Sequence, residues 1–227
     1  MEKTALAIMA KVPSSGGKSR LATLLTSGQR EELQWAFLGD ILDKAHQIKG
    51  LSVFLAITPQ DQADEMETKF GEINKINQPA GDLGVRMFSV AKKLFEQGFS
   101  RVLITGTDSP TLPPDYLVQA LLRLKNKPIV FGPTMDGGYY MVGLSCPESR
   151  IFKGISWGTS QVLQQTETIC KDINLQYSLL PPLEDIDWPI DLLNLKRTLT
   201  KGKIRADWFP QRTANFLAKN KLVGKDE

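Results

Sequence analysis

Histidine is almost missing from this sequence: His46 is the only one, and it falls in a segment with helical patterning. A histidine-rich metal site, a zinc peptidase of the H-E-x-x-H kind and a Ser-His-Asp hydrolase all need more than that. Any chemistry must therefore rest on carboxylates, cations and backbone amides, with or without a metal held by oxygen. Cysteine is nearly as scarce. Cys146 and Cys170 lie far apart without a C-x-x-C pair, which excludes a disulfide framework and fits a reducing cytoplasm.

Long apolar runs are absent too. A membrane helix needs about 20 apolar residues, and the first run here follows Glu2 and Lys3 and is cut off by Lys11. It reads as a buried first strand rather than a signal peptide or a membrane span. Nor does one sign of charge dominate. In 227 residues, 28 basic side chains face 25 acidic ones for a net charge of +3, well mixed, so nucleic acid is not an expected partner. No Pro/Gly/Ser-rich linker divides the chain. One domain is expected over residues 1–218, followed by a charged tail over 219–227.

What is present is a rhythm. Short β-rich runs alternate with longer amphipathic ones: a strand TALAIMA, a helix over Gln29–Gln47, a strand LSVFLAIT, a helix over Asp61–Phe70, and a short strand INKIN. A helix over Leu83–Gln97, the strand RVLITG, a helix over Pro114–Lys125 and the strand PIVFG follow. Strand–helix alternation implies a largely parallel sheet with helices on both faces. After PIVFG the strand YYMVGL comes at once across a glycine-rich turn, which predicts a β-ribbon or a reversed strand. Helices over Ser160–Lys171 and Ile190–Leu199, and another near the C-terminus, complete the pattern.

In open sheets of this kind ligands collect at the carboxyl ends of the strands, so those loops are the ones to inspect. The first reads KVPSSGGKSRL, Lys11–Leu21. It ends like a Walker A loop but has Val12 where that motif needs its first glycine. What remains is a cationic, glycine-bearing strand-to-helix loop suited to an anion, or a solvated basic face. After RVLIT comes GTDSPTLPPDYL: Asp108 stands at the sheet edge, where a carboxylate invites a divalent cation, while Thr111 is a candidate cap for the helix that Pro113 and Pro114 introduce. After PIVFG, two glycines behind Asp136 either admit a close ligand or make an Asp-Gly turn. QPAGDLGVRM places Gln78 and Gly81 ahead of a helix, with Asp82 as a cap and Arg86 in i, i+4 ion-pair register with it. In LEDIDWPIDLLNL, Asp187 precedes Trp188-Pro189 and reads either as a helix cap or as a site carboxylate, and Asp191 suits the positive helix end.

Taken in order, the cationic loop, Q-P-x-G-D-L-G-x-R-M, G-x-D-x-P, G-P-x-x-D-G-G-Y-Y and D-x-D-x-P-x-D-L resemble the radical-SAM/selenodomain-associated transferases. That family belongs with the GT-A-type nucleotide-diphospho-sugar transferases, and some members are linked by name to arsenosugar biosynthesis. The resemblance runs from about Ala5 to Leu195. More distantly the chain is similar to 2-phospholactate guanylyltransferases and sugar-acid cytidylyltransferases. The first loop is about a residue shorter than in that family, and Trp188 stands where a small residue is usual.

The resemblance implies an α/β, GT-A-like (Rossmann-like) single domain with a mostly parallel sheet and a small β-ribbon. It implies a cytoplasmic, Mg²⁺- or Mn²⁺-dependent glycosyltransferase that uses a nucleotide-diphospho-sugar on a small-molecule acceptor. A nucleotidyltransferase joining an NTP to a phosphorylated or acidic small molecule is the alternative, and a non-catalytic nucleotide-binding module a third. By the same carry-over Lys11, Lys18 and Arg20 meet the phosphates. Gln78, Gly81, Asp82 and Arg86 lie on the base side, and Gly137 and Gly138 approach the ligand. Asp108 and Asp187 hold the metal, and Asp136, with Lys18, takes part in the chemistry.

Overall fold

The computed structural model describes residues 3–202, 204, 208–220 and 222. Its sheet has seven strands: β1 Thr4–Lys11, β2 Leu51–Thr58, β3 Asn74–Asn77, β4 Arg101–Thr105, β5 Ile129–Pro133, β6 Tyr139–Leu144 and β7 Tyr177–Leu179. They lie in the order β3-β2-β1-β4-β6-β5-β7. Every neighbouring pair is parallel except those of β6, which runs antiparallel to both β4 and β5. This is the GT-A-like α/β arrangement expected, with β6 as the reversed strand. The β5–β6 hairpin supplies the ribbon.

Seven helices surround the sheet among the described residues: α1 Ser27–His46, α2 Ala63–Phe70, α3 Leu83–Glu96, α4 Pro114–Arg123, α5 Val162–Asp172, α6 Pro189–Thr200 and α7 Gln211–Lys219. None is long and apolar enough to cross a membrane. β1 shows how the layers form. Leu6, Ile8 and Ala10 point into the core under α1, α2 and α4, whereas Ala5 and Ala7 point into the core under α3 and α5. A strand covered on both faces reads as an unbroken apolar run, as TALAIMA does. A third cluster, built on Leu21, Leu33, Phe37, Leu192 and Phe216, packs the first loop against α1, α6 and α7.

Several expectations move. β7 was not foreseen; YSL is too short and too polar to announce a strand, and it is specified by pairing in parallel with β5. Thr111 does not cap α4, whose N-cap is Pro113 with no side-chain bond. Lys219, expected in the tail, is the last residue of α7 and pairs with Glu32 at 3.0 Å. Residues 221 and 223–227 of that tail lie outside the described residues.

Candidate functional site

At the carboxyl edge of the sheet the loops after β1, β4 and β5 surround a cleft of about 780 Å³, within the size range of small-molecule sites. One strap of chain assembles its floor. Leu180 N donates to Phe131 O, and Leu183 N to Pro133 O, so residues 180–183 follow the end of β5. Ile186 N then donates to Asp108 O at 2.8 Å. That backbone bond brings Asp187 beside Asp108. Asp191 Oδ2 accepts from the amides of Asp187 and Trp188 at 3.1 and 2.7 Å, and so satisfies donors that open α6. Trp188, not Asp187, occupies the N-cap position, which leaves the Asp187 carboxylate for the cleft.

Both carboxylates meet one cation. Lys18 Nζ lies 2.6 Å from Asp108 Oδ1 and 2.8 Å from Asp187 Oδ1, and donates to Ile186 O at 2.7 Å. The Lys18 side chain is 10% exposed, against 47% for Asp108 and 36% for Asp187. The ammonium is thus on the inner side of the pair, and the carboxylates face the cleft. Burial alone would lower the Lys18 pKa, but the charges and hydrogen bonds of Asp108 and Asp187 outweigh it and hold the ammonium above its usual range. An ammonium has three hydrogens, and all three are taken. Lys18 therefore has none to give a phosphate in this arrangement, which departs from the contact expected for it. Arg20 is placed differently: its Nη1 lies 3.3 Å from Asp187 Oδ2, and its guanidinium sits 4.8 Å from the Trp188 ring centre. Lys11 is exposed on the cleft wall.

A third carboxylate joins them. Asp185 accepts from Ser109 Oγ and is pushed up to about 7. Burial is the main cause; the Ser109 bond opposes it, and the charges of Asp108, Asp136 and Asp187 add to it. The sequence reading passed over Asp185, although the D-x-D spacing was a signal, since residues two apart in extended chain share a side.

The first loop is turned by α1. Arg30 donates to Ser15 O and Gly17 O at 2.8 and 3.1 Å, and Gln34 Nε2 to Ser14 O at 2.9 Å. Its carbonyls are thereby held back against the helix, as an anion site requires, and Gly16 and Gly17 line the cleft. A Cβ on Gly17 would lie 2.0 Å from Gln34 Oε1, so a side chain there would have to push the Gln34 amide aside. Lys18, next in line, has left-handed backbone at φ 47°, a conformation that costs an L-residue about 1–2 kcal/mol. Neither Arg30 nor Gln34 was singled out from sequence. Their i, i+4 spacing on α1 was the available sign.

On the opposite wall the expected base contacts separate. Gln78 is not on the cleft surface: its amide nitrogen donates to Ala10 O and Ala56 O, closing the gap between the ends of β1 and β2. Its Oε1 accepts from Arg86 Nε at 2.7 Å and from Nη2. Arg86 does line the cleft, so Gln78 positions Arg86. Arg86 thus turns to Gln78 rather than to Asp82. Asp82 caps α3 through Val85 N at 2.8 Å, and Gly81 packs under Val85 with φ 129°. Neither Gly81 nor Asp82 is on the cleft wall.

Asp136 and Gly138 do line the cleft. Asp136 Oδ1 accepts from Thr134 Oγ1 at 2.5 Å and Gly138 N at 3.1 Å, a turn role that leaves its other oxygen uncommitted. Gly137 is a packing glycine, since a Cβ on it would meet Ser160 O at 2.1 Å. Next to this turn, Tyr139 Oη and Trp157 Nε1 are buried with no hydrogen-bond partner among the described residues.

These residues can hold a metal only in part. Among the described residues no three His, Cys, Asp or Glu side chains converge on one ion. Asp108 and Asp187 do converge on a point that a cation already occupies, and their oxygen-only donor set is the kind that Mg²⁺ or Mn²⁺ takes. Two carboxylates with substrate phosphates and waters make a fitting site for such an ion.

Comparison with known proteins agrees with the fold. Residues 41–159, just over half of the chain, match the family described as uncharacterized proteins conserved in bacteria, DUF2064. The chain belongs to that family. No curated protein matches it. Among solved structures, this DUF2064 member is similar to a protein of Desulfovibrio desulfuricans G20 provisionally named a nucleotide-diphospho-sugar transferase. The two share 28% identity and a TM-score of 0.87 over 97% of this chain and 96% of that one. It shares its fold with a CMP:2-keto-3-deoxy-manno-octonic acid synthetase complexed with CTP, at 11% identity and a TM-score of 0.59 over 89% of this chain and 100% of that one. It also shares its fold with Rv0371c of Mycobacterium tuberculosis H37Rv in complex with manganese, at 14% identity and a TM-score of 0.55 over 85% of this chain and 97% of that one.

Proposed function

We propose that this protein is a metal-assisted glycosyltransferase that binds a nucleotide-diphospho-sugar in the cleft and passes the sugar to a small acceptor. The observation that carries the proposal is the meeting of Asp108 and Asp187, delivered by separate loops, on one cation point at the carboxyl edge of the sheet. The 28% identical neighbour provisionally named a nucleotide-diphospho-sugar transferase supports the donor class, as does the sequence resemblance to the radical-SAM/selenodomain-associated transferases.

In this reading Asp108 and Asp187 hold Mg²⁺ or Mn²⁺. Bound there, the ion supplies Lewis-acid stabilisation for the charge that grows on the departing diphosphate. The chain does the rest. The loop held back by Arg30 and Gln34 leaves room for phosphate at Gly16 and Gly17, and Lys11 and Arg20 contribute positive charge beside it. Arg86, clamped by Gln78, fixes the nucleoside end. Asp136 uses its uncommitted oxygen to orient the acceptor hydroxyl and receive its proton.

Product analysis tests this. Incubation with Mg²⁺, a panel of nucleotide sugars and small hydroxyl acceptors should release a nucleoside diphosphate. Release of pyrophosphate from an NTP would instead make the protein a nucleotidyltransferase, the reading favoured by the shared fold of the CTP-complexed synthetase. Thermal stabilisation by nucleotide with neither product would leave a binding module.

A further inference from the structure

The Asp108–Asp187 pair is not an open acidic site, since its inner oxygens are both spent on Lys18. We infer that Lys18 is a resident cation that exchanges with the divalent metal, so that the protein accepts metal and nucleoside diphosphate together rather than either one alone. This deepens the reading above and rests on it for the identity of the nucleotide.

Three observations support the exchange. The ammonium spends every hydrogen on Asp108, Asp187 and Ile186 O, so it is seated as a ligand of this site and not in transit across the cleft. A divalent ion brought to the same two oxygens would stand within van der Waals distance of a full positive charge, and one of the two must leave. Finally, no third His, Cys, Asp or Glu side chain is placed among the described residues to outbid the lysine for the metal. Two carboxylates alone leave most of an ion's positions to water and so hold it weakly. The phosphates of a nucleotide change both sides of the competition: they complete the coordination, and they give the displaced ammonium an anion to bind. The displacement is local. Lys18 follows Gly16-Gly17 and takes left-handed backbone at φ 47°, ψ 43° just before a 3-10 turn over Ser19–Thr23, so a change at one residue can swing its side chain from the carboxylates toward the loop.

The test follows free Mn²⁺ by its paramagnetic resonance signal during titration of wild type and Lys18→Met, first with no nucleotide. Lys18→Met should bind Mn²⁺ at least tenfold more tightly than wild type. Its melting temperature should be the lower of the two in chelator and should gain more from Mn²⁺. If Lys18→Met does not fold, Lys18→Gln is compared in the same way, since an amide carries no competing charge. Equal or weaker Mn²⁺ binding in the variant would overturn the exchange, because it would mean that lysine and metal sit side by side. The titration is then repeated with UDP, GDP and CDP in turn. The nucleotide that binds should raise Mn²⁺ affinity by a larger factor in wild type than in the variant; the same factor in both would also overturn the inference. The first arm contains no nucleotide, so a failure of all three to bind would count against the transferase reading and leave the exchange standing on the Mn²⁺ result.

Discussion

Among the described residues two lysines, Lys44 and Lys18, stand enclosed beside carboxylates, and the two clusters have opposite outcomes. Lys44, on α1, is 3% exposed and donates to Pro110 O. Beside it Asp40, 2% exposed, accepts from Arg212 N, Thr213 N and Thr213 Oγ1 at 2.9, 2.9 and 2.6 Å. Asp40 thus caps α7 from another helix, a need created by Pro210 at the α7 N-cap, which offers no side-chain bond. In the other cluster the Lys18 side chain is 10% exposed, but its carboxylates are a third to a half exposed and open on the cleft. The residue types are shared; what separates structure from function is whether the carboxylates face the interior or the cleft. The two are also joined, since Pro110 lies on the loop that carries Asp108.

The sharpest way to break this comparison is to neutralise one acid in each cluster. Asp108→Asn and Asp187→Asn should remove metal-dependent nucleotide binding and cut turnover by about 10²-fold or more, as expected when transition-state charge loses its stabiliser. Unfolding free energy should fall by no more than about 1–2 kcal/mol, because each carboxylate is a third to a half exposed and Lys18 keeps the other one and Ile186 O. Asp40→Ala should do the reverse. It strands three donors in the interior and should cost about 3 kcal/mol or more, with α7 detaching first, while protein that remains folded keeps its affinity. Calorimetric titration with Mg²⁺ and with chelator, beside denaturant melts, reads both. A wild-type metal effect in either cleft variant would remove the metal site.

Acidity offers a second contrast. Burial drives Lys44 down to about 8, against the partly offsetting charges of Asp40 and Asp43. Its folded pKa lies below the 10.5 of the unfolded chain, so between these values the unfolded state binds the extra proton. Stability should rise with pH from about 8 to about 10.5, by at most about 3 kcal/mol, and be flat in this term below 8. Lys44→Met should remove that rise. Urea melts at several pH values between 7 and 10.5 decide it, and an unchanged slope in the variant would place its origin elsewhere.

Much of the fold was legible in the sequence. Periodicity gave the alternation of strands and helices because both faces of the sheet need apolar cover, and the glycine-rich turn before YYMVGL marked the reversed strand. β7 was hidden because three residues carry no period. In the site, Asp108 and Asp187 could be picked out as strand-end and motif carboxylates, but their partner could not. Lys18 and Asp187 are 169 positions apart, and a lysine in a glycine-bearing loop looks the same whether it meets a phosphate or a carboxylate. The bonds of Gln78 were hidden for a related reason: an amide beside a helix start suits a base edge, and nothing local shows that the carbonyls of Ala10 and Ala56 take it.

That correction leads to a smaller, coupled effect on the far wall. If Gln78 acts only through Arg86, then Gln78→Leu and Arg86→Ala should each weaken nucleotide binding by about 1–2 kcal/mol. The double variant should lose no more than the worse single one, because contacting residues are not additive. Full additivity in a calorimetric double-mutant cycle would mean that Gln78 touches the ligand itself.

The smallest expected effect belongs to the exposed rim of the cleft, where Trp188 stands beside Arg20. Its ring supports Arg20, whose guanidinium lies 4.8 Å from the ring centre while Nη1 reaches Asp187 Oδ2 at 3.3 Å. Both partners are more than half exposed, so the stacking contributes only about 0.5–1 kcal/mol, and a solvated ion pair adds no more. Trp188→Ala should therefore shift unfolding free energy by less than about 1 kcal/mol. It removes neither charge, so it should weaken binding of the metal–nucleotide complex less than Arg20→Ala does, and Arg20→Ala less than Asp187→Asn. Calorimetric titration of the three variants ranks them. If Trp188→Ala proved as damaging as Asp187→Asn, the indole would have to touch the substrate directly, and the rim would belong to the reacting part of the cleft rather than to its support.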